Sequence, residues 1–338
     1  MSKRKLSKQQ QSRISAMQEK QIANDSAASS LSNDNCNGRV ISHYGQQLDV
    51  ESLEAGDNNR IVRCFQRANL PELVTGDYVV WEYEDEETGV IVASAKRDNV
   101  FVRPGFAGKI KPVAANLDVV LVVIATLPEA FGNLIDRYLV AISTLGLQAA
   151  IVLNKEDLLS SVNSDSLLSM LAIYESLDYP VYKVSAKTGQ GIDDLERLLN
   201  SKTTVLVGQS GVGKSSLINR LANSELMSQN EDELAETGAL SQGKYKGTHT
   251  TTTARLFHLA NFDLIDSPGI REFELGHVST ADVEAGFPEI AQAATDCKFR
   301  DCSHRTEPGC AVALALQNGI INEERMASYR QILQSIDG

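Results

Sequence analysis

The chain has 338 residues, of which 42% are hydrophobic and 22% charged, with a formal net charge of −12. This length predicts two or three domains, and the balance is that of an ordinary globular protein rather than a disordered or fibrous one. The acidic total argues against a general nucleic-acid binder. The longest apolar run, near 119–125, is far too short to span a bilayer, and the N-terminus lacks the apolar core of a secretory signal, so no membrane partner and a cytoplasmic location are expected.

Residues 1–36 read as a flexible basic arm: Lys3, Arg4, Lys5, Lys8, Arg13 and Lys20 face one acid, Glu19, in the first twenty positions. Such a tail is either simply solvated or orders on RNA. From 37 to 104 short strands alternate with turns: "RVISHY", "LDVES", "RIVRCF", "LVTGDYVVWEY" and "GVIVASAKR". Five strands without a helix suit a small closed barrel, an OB-fold first and an SH3-like barrel second. "RPGFAGKIKPVAAN", 103–116, reads as a linker with two prolines.

From 105 to 276, strands near 117–125, 149–153, 181–185 and 203–207 alternate with helices near 132–145, 164–177, 191–200 and 214–222. That alternation predicts a parallel sheet with helices on both faces. "ARLFHLA" and "FDLID" then read as a β-hairpin feeding the same sheet. From 277 to 338, helices near 281–294, 310–318 and 322–335 flank a Cys/His-rich stretch.

Gly208, Gln209, Ser210, Gly211, Val212, Gly213, Lys214 and Ser215 match the phosphate-loop pattern, with Ser216 beside them at the start of a helix. The loop follows the apolar strand "TTVLV", which is the context this motif requires. Its backbone N–H groups and the helix N-terminus suit a phosphate. Lys214 is expected to span the β- and γ-phosphates and Ser215 to ligate Mg²⁺. Asp266 and Gly269 close the strand "FDLID"; the Asp is expected to hold the magnesium shell through water and the Gly N–H to meet the γ-phosphate. Between these motifs lies a threonine run, from which Thr251, or alternatively Thr250, supplies the hydroxyl that reaches Mg²⁺ only when the γ-phosphate is present.

Asn154, Lys155 and Asp157 end the buried strand "AAIVL". A carboxylate at 157 can accept from the guanine N1–H and exocyclic amino group, a donor pair that adenine lacks. Lys155 can lay its stem over the base. Ser185, Ala186 and Lys187, after "VYKV", can offer a backbone N–H to the guanine O6. All five guanine-nucleotide motifs are present, but the last two lead. The pattern is a circular permutation, which leaves the site intact because ligands of such sheets sit at the strand carboxyl ends. In this order the segment after Asp266 runs straight into the C-terminal region, so nucleotide state is expected to reach it through 267–280. Cys297, Cys302, His304 and Cys310 offer three thiolates and an imidazole, a four-coordinate set for one structural zinc. The fold class is thus multidomain: an N-terminal β-barrel (OB-fold), a central circularly permuted α/β P-loop GTPase domain and a C-terminal, mostly helical zinc-binding domain.

The rotated motifs, the barrel and the Cys-x4-Cys-x-His-x5-Cys spacing together resemble one family, the ribosome small-subunit-dependent GTPases RsgA, also called YjeQ. The resemblance covers about 38 to 335. It implies an OB-fold, a permuted GTPase domain and a zinc domain, GTP hydrolysis to GDP stimulated by the small ribosomal subunit, and a role late in that subunit's maturation; contacts with the subunit's rRNA and a monomer are expected. Where other GTPases carry a water-orienting Gln, this chain has Ile270. His249 beside the switch threonines is the available polar group, and in the family a His at this place is linked to catalysis. The missing Gln keeps one alternative open, a GTP-dependent RNA-binding module without significant turnover; a translation or RNA-modification factor with the same domains but a different RNA is a third reading. Gly211 stands where some relatives use Asn to hold K⁺, so no K⁺ activation is expected.

Overall fold

The computed structural model describes residues 31–337, apart from 46, 58–59, 69, 86, 105–109, 162–163, 224–253, 260 and 267–277. The arm up to residue 30, His249, Thr250, Thr251, Gly269, Ile270 and most of the 267–280 connection lie outside the described residues. The chain divides into two compact units. The first takes in 1–119, 199–206 and 235–277; the second takes in 120–198, 207–234 and 278–338.

In the first unit, five strands carry the N-terminal core: β1 (Gly38–Tyr44), β2 (Gln47–Ser52), β3 (Ile61–Gln66), β4 (Tyr78–Tyr83) and β5 (Thr88–Ser94). Strands β1 and β2 are antiparallel, as are β2 and β3, and β4 and β5, whereas β3 and β5 are parallel. Strand β4 returns to β1 through Gly38↔Val79 and Arg39↔Tyr78. Strand β3 shows why one face is apolar: Ile61 and Arg63 are exposed while Val62 and Cys64 are buried, the period of two that a strand imposes. Val40, Leu48, Val50, Val62, Trp81 and Ile91 close over each other on the inside. Burial there, with Asp49 nearby, pushes the Cys64 thiol up to about 12.

The proline-containing stretch 103–116 is not a plain linker. Strand β6 (Val100–Pro104) pairs antiparallel with β7 (Ile110–Ala115), from Val100↔Ala115 to Pro104↔Ile110. Strand β7 also bridges Thr75 on its other side, with the Ala115 N–H donating to Thr75 O at 2.9 Å. The remaining strands of this unit include the expected hairpin, β12 (Arg255–Leu259) and β13 (Phe262–Asp266), with β13 parallel to β11 (Thr203–Val207).

In the second unit, β8 (Val119–Ala125), β9 (Gln148–Asn154) and β10 (Val181–Lys183) are neighbours in one sheet, and β10 and β9 run parallel. Every residue of β8 is buried, as a strand covered on both faces requires. Helices α1 (Gly132–Ser143), α2 (Asp165–Ser176), α3 (Ile192–Leu199) and α4 (Lys214–Asn223) fall where the apolar periodicity predicts. The predicted helix 281–294 is two helices, α5 (Thr280–Ala285) and α6 (Pro288–Ala294). Pro288 forces the break: it lacks an N–H and drives Phe287 out of the helical region, to φ −118° and ψ 81°.

Helices α7 (Ala311–Gln317) and α8 (Glu323–Asp337) complete the unit. Arg325 of α8 is buried between Asp136 of α1 and Glu289 of α6, and its guanidinium lies 4.2 Å from the Phe287 ring centroid. The Tyr174 hydroxyl donates to Asp136 at 2.7 Å. Burial raises Asp136 above the ordinary carboxylate range, against the pull of Arg325. Such a cluster holds only while every member has its partner. Among the described residues no helix is long and apolar enough to cross a membrane.

Candidate nucleotide site and metal centre

The phosphate loop opens directly after β11 and ends at Lys214, the first residue of α4. The Lys214 ammonium donates to the carbonyls of Gly208 at 2.5 Å and Gln209 at 2.8 Å, so it is held over the loop. Ser215 and Ser216 are exposed in the first turn of α4, where backbone N–H groups have no intrahelical partner and the helix presents its positive end.

Asn154, the last residue of β9, is buried and joins three loops. Its Nδ2 donates to Val212 O at 2.9 Å and Gly213 O at 3.4 Å, and its Oδ1 accepts from the Ala186 N–H at 3.1 Å. Gly213 is required there: its φ is +91°, and a Cβ would lie 2.5 Å from Asn154 Nδ2. The next residue, Lys155, has φ +62°, which turns the chain back on itself. Its Nζ then reaches Leu127 O at 2.6 Å and Gly211 O at 2.8 Å. The Thr126 hydroxyl donates to Lys155 O at 3.0 Å and fixes that turn.

Asp157 lies in a 3-10 turn, Glu156–Ser161, and accepts from the Ser185 hydroxyl at 2.6 Å. Ser185 in turn organises its own loop: its Oγ accepts from the Thr188 N–H and its carbonyl from the Gly189 N–H. The Ser185 and Ala186 N–H groups are engaged, by Gln190 O and Asn154 Oδ1 respectively. The sequence carried no signal for Leu127, Thr126 or Glu129, whose carbonyl accepts from Gln209 Nε2 at 3.2 Å. All three belong to a loop after β8 that matches no motif. Asp266 is the half-buried last residue of β13 in the first unit.

Cys297, Cys302, His304 and Cys310 bring their ligand atoms within 4.8 Å of one another. His304 Nδ1 is 3.6 Å from the sulfurs of Cys297 and Cys310, which are 3.9 Å apart. A tetrahedral ion with metal–sulfur bonds of about 2.3 Å and a metal–nitrogen bond of about 2.0 Å requires separations of roughly 3.5–3.8 Å. The set can therefore hold a metal ion. Glu284 of α5 takes the other ring nitrogen, with Nε2 to Oε2 at 3.2 Å, which fixes the ring orientation. Cys310 caps α7 and accepts from the Ala313 N–H. Burial works to raise the Cys297 thiol. The backbone N–H groups of Val312 and Ala311, with the Cys310 and Cys302 thiols, outweigh it and hold Cys297 below its ordinary value.

A phosphate loop that meets the Asn154-Lys155-x-Asp157 and Ser185-Ala186-Lys187 loops at one Asn, with both of those loops earlier in the chain, has the layout of a circularly permuted P-loop GTPase. The RsgA GTPase family profile matches residues 94–276, and the chain belongs to that family. It is a GTPase, a hydrolase acting on GTP. The small ribosomal subunit biogenesis GTPase RsgA of Pseudomonas fluorescens Pf-5 is 47% identical, over 99% of this chain and 98% of that protein. The protein of the same name from Marinobacter nauticus is also 47% identical, over 99% of this chain and 97% of its own. Among solved structures, YjeQ from Thermotoga maritima superposes with a TM-score of 0.69 at 29% identity, covering 89% of this chain and 98% of that one. YloQ, described as a circularly permuted GTPase, gives 0.68 at 26% identity, over 89% and 94%.

Proposed function

We propose that this GTPase binds the small ribosomal subunit and acts late in its maturation, hydrolysing GTP to GDP and phosphate at a rate the subunit raises. The observation that carries the reading is Asn154, which ties the phosphate loop to both guanine-reading loops. The names of the relatives supply the ribosomal subunit.

In this reading Asp157 recognises the guanine N1–H and amino group, Lys155 covers the ring, and a backbone N–H of the Ser185-Ala186-Lys187 loop meets O6. Lys214 spans the phosphates, and Ser215 and Thr251 ligate Mg²⁺, with Asp266 in its water shell and the Gly269 N–H at the γ-phosphate. His249 orients the attacking water once the subunit orders the switch. Zinc is the metal of the Cys/His set, because three thiolates and an imidazole suit it and leave no position for a reacting water.

The domain reading is an arm at 1–36, an OB-fold at 37–104, the permuted GTPase at 105–276 and a zinc domain at 277–338. The return of β4 to β1 and the parallel β3–β5 pair support a five-stranded OB barrel. Its surface supports an RNA partner. Tyr44, Phe65 and Tyr83 are exposed, with the Arg63 guanidinium 5.2 Å from the Tyr44 ring and Arg60 5.4 Å from the Tyr83 ring. Stacking faces beside cations are what single-stranded nucleic acid binds. The protein would work in the cytoplasm as a monomer.

The test is GTP turnover with and without purified small subunits, for the wild type and His249→Ala. Strong stimulation of the wild type, lost in the variant, is expected. No stimulation at all would favour a nucleotide-sensing binding module; stimulation of both alike would remove His249 from the mechanism.

A further inference from the structure

We infer that Arg220 is a positioning residue for guanine selectivity, holding the Ser185–Gln190 turn against the helix that carries the phosphate loop. The inference rests on the guanine-site reading above.

Arg220 lies in the last turn of α4. Its Nη2 donates to Lys187 O at 3.2 Å. The guanidinium also packs on Gly189, whose φ is +87°; a Cβ there would come within 2.9 Å of Nη2 and 3.3 Å of Cζ. The fit leaves room for hydrogen only. Arg220 Nε is buried and has no hydrogen-bond partner among the described residues. A buried, unpaired donor is unfavourable. The side chain therefore keeps this place at a cost, which marks the contact with Lys187 and Gly189 as the one that fixes it.

The turn it touches behaves as a unit. The Ser185 N–H bonds Gln190 O at 2.9 Å, the Gly189 N–H bonds Ser185 O at 2.8 Å, and the Ser185 hydroxyl bonds Asp157 at 2.6 Å. Asn154 grips this turn at Ala186 and also grips the start of α4 at Gly213. Asn154 at Ala186 and Asp157 at the Ser185 hydroxyl hold the leading side of the turn. Arg220 holds its other side, at Lys187, from the far end of the same helix. Contacts on both sides fix the direction of the turn's N–H groups toward O6. Through Ser185 they also fix the Asp157 carboxylate that reads N1–H and the amino group.

The experiment compares binding of fluorescently labelled GDP and IDP to the wild type, Arg220→Ala, Arg220→Lys and Arg220→Met. IDP keeps O6 but lacks the exocyclic amino group that Asp157 reads, so the GDP-to-IDP ratio reports how the turn aims the Asp157 carboxylate through Ser185. Loss of one charge-assisted bond predicts about tenfold weaker GDP binding in Arg220→Ala and a smaller loss for IDP, so the preference for GDP shrinks. Arg220→Lys, which keeps a cationic donor, should recover most of that preference. Arg220→Met, which keeps the stem and loses the donor, should shrink the preference as Arg220→Ala does. A merely structural role would weaken GDP and IDP alike, and an unchanged GDP-to-IDP ratio in Arg220→Ala overturns the inference. If that variant fails to fold, an unchanged ratio in Arg220→Met overturns it. A wild type that binds ADP as well as GDP would instead overturn the guanine-site reading.

Discussion

The corner around Asn154, proposed to read guanine, and the Cys/His cluster both lie in the second unit, and they are held in opposite ways. At the corner, protein answers protein. Asn154 is bonded at both ends of its amide, Lys155 by two carbonyls, and Asp157 by Ser185, across separations of 28 to 59 residues. In the cluster, four ligands from a fourteen-residue stretch mainly face one another. Thiols are weak donors and weak acceptors, and thiolates repel. The corner is therefore built by the fold before any nucleotide arrives, whereas the cluster needs a cation to make its convergence favourable.

The largest effect expected from this contrast is that of metal removal. Structural zinc contributes about 10–16 kcal/mol in small zinc-dependent domains. Chelation, or Cys302→Ala, is expected to abolish amide-exchange protection across 297–312 and to lower the thermal midpoint. GDP affinity should stay within about threefold, because none of the corner's bonds comes from the cluster. If chelation removed GDP binding in the same step, the two regions would be one cooperative element and the contrast would be wrong.

Next in size is Asp157→Asn. The corner should survive, since the amide oxygen can still accept from the Ser185 hydroxyl, and thermal stability should change by less than about 1 kcal/mol. Recognition should not survive. An amide N–H facing the guanine amino group leaves two donors opposed, and GTP affinity is expected to fall about a hundredfold or more. Xanthosine triphosphate, with a carbonyl at that ring position, should bind the variant better than the wild type. Equal GTP affinity in the two proteins would show that another group reads the base.

These two regions also differ in what the sequence discloses. The phosphate loop, Asn154-Lys155-x-Asp157 and the four metal ligands are local patterns, and residue type and spacing carry their chemistry. The contacts that orient them are not local. Glu284 meets His304 across 20 residues and a helix break at Pro288, and Lys155 meets Gly211 across 56. Only the packed chain brings them together. Even Asn154, legible as a motif residue, shows its bridging role only once Val212 and Ala186 are placed on either side of it. The hairpin at Val100–Pro104 and Ile110–Ala115 was masked by its own prolines, which read as linker until the strand partner is known.

The smallest effect concerns Glu284, and it separates charge from geometry in the cluster. With Nδ1 facing the sulfurs, the His304 Nε2–H donates to Glu284 Oε2. A carboxylate there does two things: it fixes the ring, and it makes Nδ1 more basic and so a better ligand. Glu284→Gln keeps an acceptor but removes the charge; Glu284→Ala removes both. Glu284 is about one-third exposed, so water screens part of its charge. Zinc affinity, measured by competition with a chromophoric chelator, is therefore expected to fall about tenfold for Gln, toward a hundredfold for Ala. If Gln binds as tightly as the wild type while Ala weakens, the carboxylate acts only by aiming the ring, as Asn154 aims loops with a neutral amide. The cluster would then share the corner's mode of support and differ from it only in needing the ion.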